Sequence, residues 1–341
     1  MQHVKGVKFF FVGRGMTATI VMCPVKIVQH DLSRLNGRSL LSFRVESFGS
    51  LRHDGTIASM NRLAIAVLTL VIANVAIYYC IANSGASELR VSVLDIGQGD
   101  SILVQGPTGN TMLIDGGPDR TVLARLADEL GPLDRSVGLV VETHPDSDHI
   151  TGLASVLTNY RVAGFMDPGF VPETNIAHQL ADEVSANPDI EHVVARRGMR
   201  IDLGGGAYAD ILSPDRDPEG EDTNEGSVTM HLVYGATSFM LTGDLPSTHE
   251  DWLRSLDAND GELPSTILKA GHHGSKYSTD DAWLAAIHPD AVAISAGKGN
   301  SYGHPNAETL DRIKNEGAAI FSTIDSGTLH FVSDGTTVSY K

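Results

Sequence analysis

Cysteine is almost absent from this chain of 341 residues, occurring only as Cys23 and Cys80. The stretch after residue 86 therefore has neither an internal disulfide nor a thiolate metal site, and a metal bound there must rest on His, Asp or Glu. Basic side chains are scarce in the same stretch. Residues 1–86 carry 9 Lys and Arg against 3 Asp and Glu, which leaves 16 basic against 39 acidic side chains in residues 87–341. Such a balance argues against a long electrostatic track for duplex nucleic acid, because neutralisation of phosphates by Lys and Arg supplies most non-specific affinity. Any phosphate handled there must be held locally, by metal ions and a few cations. No tandem repeat is present, and 42% hydrophobic residues is enough for a packed core, which excludes a disordered chain.

One long apolar run stands out. Leu63 to Ala82 (LAIAVLTLVIANVAIYYCIA) is 20 residues without a formal charge, long enough at ~1.5 Å rise per residue to cross a hydrocarbon core of ~30 Å. Arg34, Arg38, Arg44, Arg52 and Arg62 precede it, so the positive-inside rule puts the N-terminus in the cytoplasm and the acidic domain across the membrane. The helix reads either as a permanent anchor or as a signal peptide cut near Ser84-Gly85-Ala86, which would release the domain. Met60-Asn61-Arg62 resembles a translation start with a short basic region. Residues 1–59 then read as a cytoplasmic tail or an upstream extension, 60–86 as the anchor, and 87–341 as the folded domain.

Beyond residue 88, short apolar runs alternate with amphipathic stretches. Strands are expected at 89–94, 102–105, 112–114, 139–142, 208–212, 228–233, 239–242, 266–270, 291–295 and 319–322. Helices are expected at 121–130, 150–159, 175–186, 248–256, 280–287 and 307–315, and the polar segment 214–226 reads as a loop.

Ligand-type residues recur at the ends of these strands. Thr143-His144-Pro145-Asp146-Ser147-Asp148-His149 packs two imidazoles and two carboxylates directly after a buried-looking strand. Leu241-Thr242-Gly243-Asp244 ends another strand with a carboxylate, Lys269 to Lys276 (KAGHHGSK) ends a third with paired histidines, and Gly299 to Pro305 brings His304 after a fourth. A single Asp after a strand is usually a cap or turn residue. Four such loops can meet at one edge of the sheets, and that recurrence is the internal argument for a site.

These segments, with LDIGQGDSILVQ (Leu94 to Gln105) and LIDGG (Leu113 to Gly117), resemble the metallo-β-lactamase superfamily, and within it the hydrolase domain of the ComEC competence proteins. The resemblance covers about residues 89–335. It implies an αββα four-layer sandwich with a centre for two divalent ions. His144 and Asp146 would hold one, Asp148 and His149 the other, and Asp244 would bridge them. The paired-histidine segment would add a ligand, His273 in preference to His272, with His304 as its rival or as a proton donor to the leaving oxygen. Asp146 stands where most of the superfamily has a second histidine, and a hard carboxylate there moves preference from Zn²⁺ towards Mn²⁺ or Mg²⁺. The superfamily's mid-chain histidine is missing: Asn224 and Ser227 precede the strand at Val228, so one of the two sites is under-liganded.

Two cations can activate a water and clamp the oxygens of a phosphoryl centre, which suits a phosphodiester. Asp148 is the expected ligand and orienter of the water, His304 the general acid, and Lys269, Lys276 or Lys298 the candidates for the developing charge. His272, Ser275, Asn224 and Ser227 are further candidates for substrate contact, and Asp115 is expected to orient a ligating histidine from behind. The resemblance implies a nuclease or phosphodiesterase acting on DNA or oligonucleotides outside the cytoplasm, in association with a DNA-uptake channel. A hydrolase of a small ester, lactone or phosphocholine-type substrate is the alternative, and a non-catalytic binding module the third.

Overall fold

The computed structural model describes residues 7–12, 17–22, 62, 64–75, 88–218, 222–257 and 261–340. The chain divides into two units, one of residues 1–24 and 87–341 and one of residues 25–86. Of the second unit, Arg62 and residues 64–75 are described, and they are helical and exposed. The remainder of the expected membrane helix at 63–82 lies outside the described residues, among which no helix is long and apolar enough to cross a membrane.

In the first unit, β1 (Val7–Val12) and β2 (Thr17–Met22) come first. They are followed by β3 (Leu89–Val93), β4 (Ile102–Gln105), β5 (Thr111–Ile114), β6 (Ser136–Val141), β7 (Arg161–Asp167) and β8 (Glu191–Val194). Next are β9 (Arg200–Gly204), β10 (Ala207–Ser213), β11 (Thr229–Tyr234), β12 (Thr237–Leu241), β13 (Ile267–Lys269), β14 (Ala291–Ile294) and β15 (Ala319–Ser322), and last β16 (Leu329–Ser333) and β17 (Val338–Tyr340). The strands form two sheets, ordered β17-β16-β3-β4-β5-β6-β7-β8 and β1-β2-β9-β10-β11-β12-β13-β14-β15.

The period of two along each strand sends neighbouring side chains into different cores. Val104, Met112, Ile114 and Val141 from one sheet meet Ile211, Met230, Leu232 and Phe239 from the other. Leu103, Leu113 and Val140 point the other way, against Leu126, Ile150, Leu153 and Leu180 of the helices Thr121–Leu130, Ser147–Asn159 and Asn175–Ala186. On the far side Met240, Leu268 and Val292 pack under Leu253, Trp283 and Ile313 of the helices Ser247–Leu256, Asp281–Ile287 and Ala307–Glu316. Three apolar layers between helix, sheet, sheet and helix make the αββα sandwich.

Strands β5 to β8 run parallel, as do β12 to β15. Parallel runs align the carboxyl ends of their strands, where sheets of this kind place ligands. The loops after β5, β6, β12, β13 and β14 all leave from such ends. Strands β1, β2, β7, β8, β9, β16 and β17 have no counterpart among the strands expected from sequence, and the helix Ser147–Asn159 begins three residues before its expected start.

Candidate metal centre

The helix Ser147–Asn159 starts directly after β6, and its first turn carries Asp148 and His149. Asp146 occupies its N-cap position, yet its carboxylate makes no capping hydrogen bond, although acceptors are usually placed there for that purpose. It turns to the cluster instead, with Oδ2 3.7 Å from His144 Nε2. Two close backbone approaches fix the geometry. A Cβ on Gly152 would lie 1.9 Å from the carbonyl oxygen of Gly116, so the helix can rest directly on the turn that carries Asp115. A Cβ on Gly99, whose φ is +133°, would lie 2.1 Å from the carbonyl oxygen of Asp148.

Asp244 is the hub. Its Oδ1 lies 3.4 Å from His149 Nε2, and its Oδ2 lies 3.4 Å from His273 Nε2, 3.7 Å from His272 Nε2 and 4.0 Å from His144 Nε2. Asp148 Oδ2 is 3.3 Å from His273 Nε2. His144, His149 and Asp244 form one group able to hold an ion, and Asp148, His149 and His273 another. His272 and His273 adopt left-handed φ of 48° and 55°, strained for residues other than glycine, which presents both rings to Asp244.

The residues fit metal ions on a direct observation. His144 Nε2, His149 Nε2, His273 Nε2 and Asp244 Oδ1 are all buried and all lack a hydrogen-bond partner. Four convergent lone-pair atoms without donors are costly to bury, and a cation satisfies them together. The opposite ring nitrogens are engaged, which leaves each Nε2 free. Asp115 accepts from Thr143 N at 2.8 Å and Thr143 Oγ1 at 2.7 Å, and its Oδ2 lies 2.8 Å from His149 Nδ1. Because the Thr143 hydroxyl donates to Asp115, its oxygen is free to accept from His144 Nδ1, 3.0 Å away. One carboxylate thus sets two imidazoles, one directly and one through a hydroxyl. His273 Nδ1 lies 3.1 Å from the Ser295 carbonyl and 3.2 Å from Asp100 Oδ1.

Electrostatics follow from the burial. Burial lowers the His144 imidazole to about 4, and His149 beside it adds to the effect. Burial also opposes charge on His149 and His273, but carboxylates outweigh it. Asp244 and Asp115 hold His149 well above the ordinary range, and Asp244 and Asp100 raise His273 to about 9. Burial would raise Asp244, yet His273, His149 and His144 keep it well below the usual carboxylate range. Metal must therefore displace protons from His149 and His273 near neutral pH. His304 is lowered by burial and by repulsion from His272 and His273.

The cluster opens on a cleft of about 400 Å³ whose walls include Asp146, Asp148, His272, Tyr302 and His304. Several expected substrate contacts lie elsewhere. Lys269 shares the inward face of β13 with Ile267, is 1% exposed, and pairs at 2.8 Å with Asp100 Oδ2, so its ammonium faces the interior and not the cleft. Ser227 is buried and accepts from Asp244 N at 3.3 Å, positioning the hub. Asn224, Ser275 and Lys276 do not line the cleft: Ser275 is buried and accepts from Tyr277 N, and the Lys276 ammonium sits 4.9 Å from the Tyr277 ring centroid. Asp100 and Thr143 had no assigned role in the sequence reading. Both read in sequence as ordinary polar residues, and only the fold shows what they face.

Residues 94–298 match the Metallo-beta-lactamase superfamily domain. The ComE operon protein 3 of Bacillus subtilis (strain 168) is 29% identical over 275 residues, covering 75% of this chain and 34% of that protein. Competence protein ComA of Neisseria gonorrhoeae is 29% identical over 247 residues, covering 72% of this chain and 32% of that protein. The chain thus spans about a third of the length of these curated relatives. A solved diphosphatase of the PhnP family aligns with 72% of this chain and 98% of its own, at 17% identity and a TM-score of 0.43. With more than half of its residues inside the domain match, the chain belongs to the metallo-beta-lactamase superfamily.

Proposed function

We propose that the chain is a metal-dependent phosphodiesterase that cuts single-stranded DNA or oligonucleotides outside the cytoplasm, with residues 63–82 holding it to the membrane. The observation that carries the reading is the convergence of four partnerless buried ligand atoms, on His144, His149, His273 and Asp244, beneath an open polar cleft. Ions held by these residues, with Asp146 and Asp148, would supply an acidified water and neutralise phosphoryl charge. Asp148 lines the cleft, 3.3 Å from His273, where it can orient a water and accept its proton. His272 and His304, whose ring centroids are 5.6 Å apart, flank the place of the leaving oxygen.

The name of the Neisseria gonorrhoeae relative, a competence protein, supports nucleic acid as the substrate and a DNA-uptake channel as the partner. With Lys269 turned inward, few cations serve the cleft, so affinity for a strand should depend only shallowly on salt, by about 0.7 log units per tenfold change in salt for each phosphate neutralised. The same scarcity favours a small phosphoester or lactone as the second reading. Both are separated by one assay on the full chain loaded with Mn²⁺: single-stranded oligonucleotide, plasmid, bis-p-nitrophenyl phosphate and a lactone panel. Strand cleavage abolished by chelator and by Asp148→Ala supports the proposal. Turnover of lactones alone, or strand cleavage indifferent to chelator, refutes it.

A further inference from the structure

The cleft over the metal centre is lined by Asp146, Asp148 and Asp244, and by no lysine or arginine. Ions can hold the phosphate being cut, but the neighbouring phosphates of a strand meet no basic side chain there. Proteins that bind single strands combine a basic groove with aromatic rings on which bases stack. With the first component missing from the cleft, the second has to supply the affinity.

A ring stands where this requires one. Trp252, Tyr277, Tyr302 and Tyr340 are exposed, and Tyr302 alone among these four lines the cleft. Its side chain is 69% exposed, and among the described residues no hydrogen bond holds its hydroxyl. The Tyr302 ring lies within 12° of parallel to that of His304, with centroids 6.0 Å apart, and the His304 centroid is 5.6 Å from that of His272. His272 Nε2 is in turn 3.7 Å from Asp244 Oδ2. A row of three rings thus leads from the carboxylate hub to an open aromatic face.

The loop that carries Tyr302 is fixed without burying it. Asn300 Oδ1 accepts from the amides of Tyr302 and His304, both at 3.1 Å, and its Nδ2 donates to the carbonyls of Gly297 and His304. Both acceptor sites and both N–H groups of one side chain are engaged by the loop. A ring presented on backbone ordered in advance can be bound at a small cost in conformational entropy.

We propose that Tyr302 stacks on a nucleobase of the strand next to the phosphate being cut, and that this stacking replaces the affinity a basic groove would give. The proposal rests on the phosphodiesterase reading above. Every base has a π-face, so the contact tolerates changes of sequence. It needs the ring of Tyr302 and not its hydroxyl.

The test uses the full chain with Mn²⁺ on oligo-dA, oligo-dT and an abasic strand of equal length. All three carry the same phosphates, so the ratio of their kcat/KM values isolates the bases. Wild type should cut each base-bearing strand with a kcat/KM about tenfold above the abasic strand, within the range for one stacked base. Tyr302→Ala should bring that ratio to about one, and Tyr302→Phe should keep it. A ratio near one in wild type, a ratio that survives Tyr302→Ala, or its loss in Tyr302→Phe overturns the proposal. Each ratio is taken within one protein, so a general loss of activity in a variant does not imitate the result. Failure of wild type to cut any strand sinks the phosphodiesterase reading, and there, or where a variant is inactive, fluorescence anisotropy of labelled oligo-dA and abasic strand with the Mn²⁺-loaded chain decides. Tighter binding of oligo-dA that is removed by Tyr302→Ala and kept by Tyr302→Phe supports the stack. Equal binding of the two strands by wild type, or a preference that Tyr302→Ala leaves intact, overturns it.

Discussion

Asp115→Asn changes one oxygen of a buried side chain and should weaken the metal centre from behind. The carboxylate accepts from the Thr143 amide and hydroxyl and faces His149 Nδ1 at 2.8 Å. An amide can serve only part of this set. With its NH₂ towards His149, it forces the imidazole to accept at Nδ1 and carry its proton on Nε2, the atom aimed at Asp244. With its NH₂ towards the Thr143 amide, two donors face each other in a buried site. Either arrangement removes a partner that fixes a ligand, and losses of this kind run about 10- to 100-fold in metal affinity, or about 1.4–2.7 kcal/mol. Calorimetric titration of the metal-stripped chain with Mn²⁺ and Zn²⁺ measures the change. Thr143→Val supplies a contrast, because it removes the hydroxyl that engages His144 Nδ1 and leaves the His149 contact intact. It should weaken one of two binding steps, whereas Asp115→Asn weakens both. Wild-type affinity in Asp115→Asn would refute the reasoning.

Asp244→Ala should remove bound metal altogether, read by elemental analysis, because the imidazoles of His144, His149 and His273 converge on that carboxylate; its far-UV circular dichroism should match wild type. Gly152→Ala should destabilise the fold by about 3 kcal/mol, the upper end for overpacking, since its Cβ would sit 1.9 Å from a backbone oxygen; denaturant titration measures it. Glu250, fully buried, accepts from the amides of Thr279 and Asp280, and burial raises its carboxyl from 4.5 to about 8. A raised acid stabilises the fold while protonated, so its contribution is intact below pH 4.5 and is lost as pH rises through 8. The melting temperature should fall between pH 6 and pH 9, and Glu250→Gln should flatten that fall; an equal fall in both proteins would contradict it.

The strands that sequence made visible are those with a continuous apolar run, such as β4 and β15, and the helices are those with a clear stripe, such as Thr121–Leu130. β7 (RVAGFMD) escaped because Gly164 interrupts its pattern, and it is a strand through pairing with β6 and β8. β9 and β16 alternate too briefly to separate from loops and gain their state from neighbours far away in the chain. At the site, ligand chemistry was legible because His and Asp recur together at four strand ends, whereas one Asp alone would serve as a cap or turn residue. Direction was not. Lys269 reads as a cation available to substrate, yet the period of β13 turns it inward to Asp100. Thr143 has no expected role beside its ligand-type neighbours in sequence, yet its hydroxyl links Asp115 to His144.

Anomalous diffraction at the manganese edge, from crystals of the chain grown with Mn²⁺, tests the central claim most directly. The account predicts a peak within bonding distance of Asp244 and the Nε2 atoms of His149 and His273, with a second, weaker one beside His144 and Asp146. Manganese bound elsewhere on the acidic surface, with these side chains left uncoordinated, would contradict it.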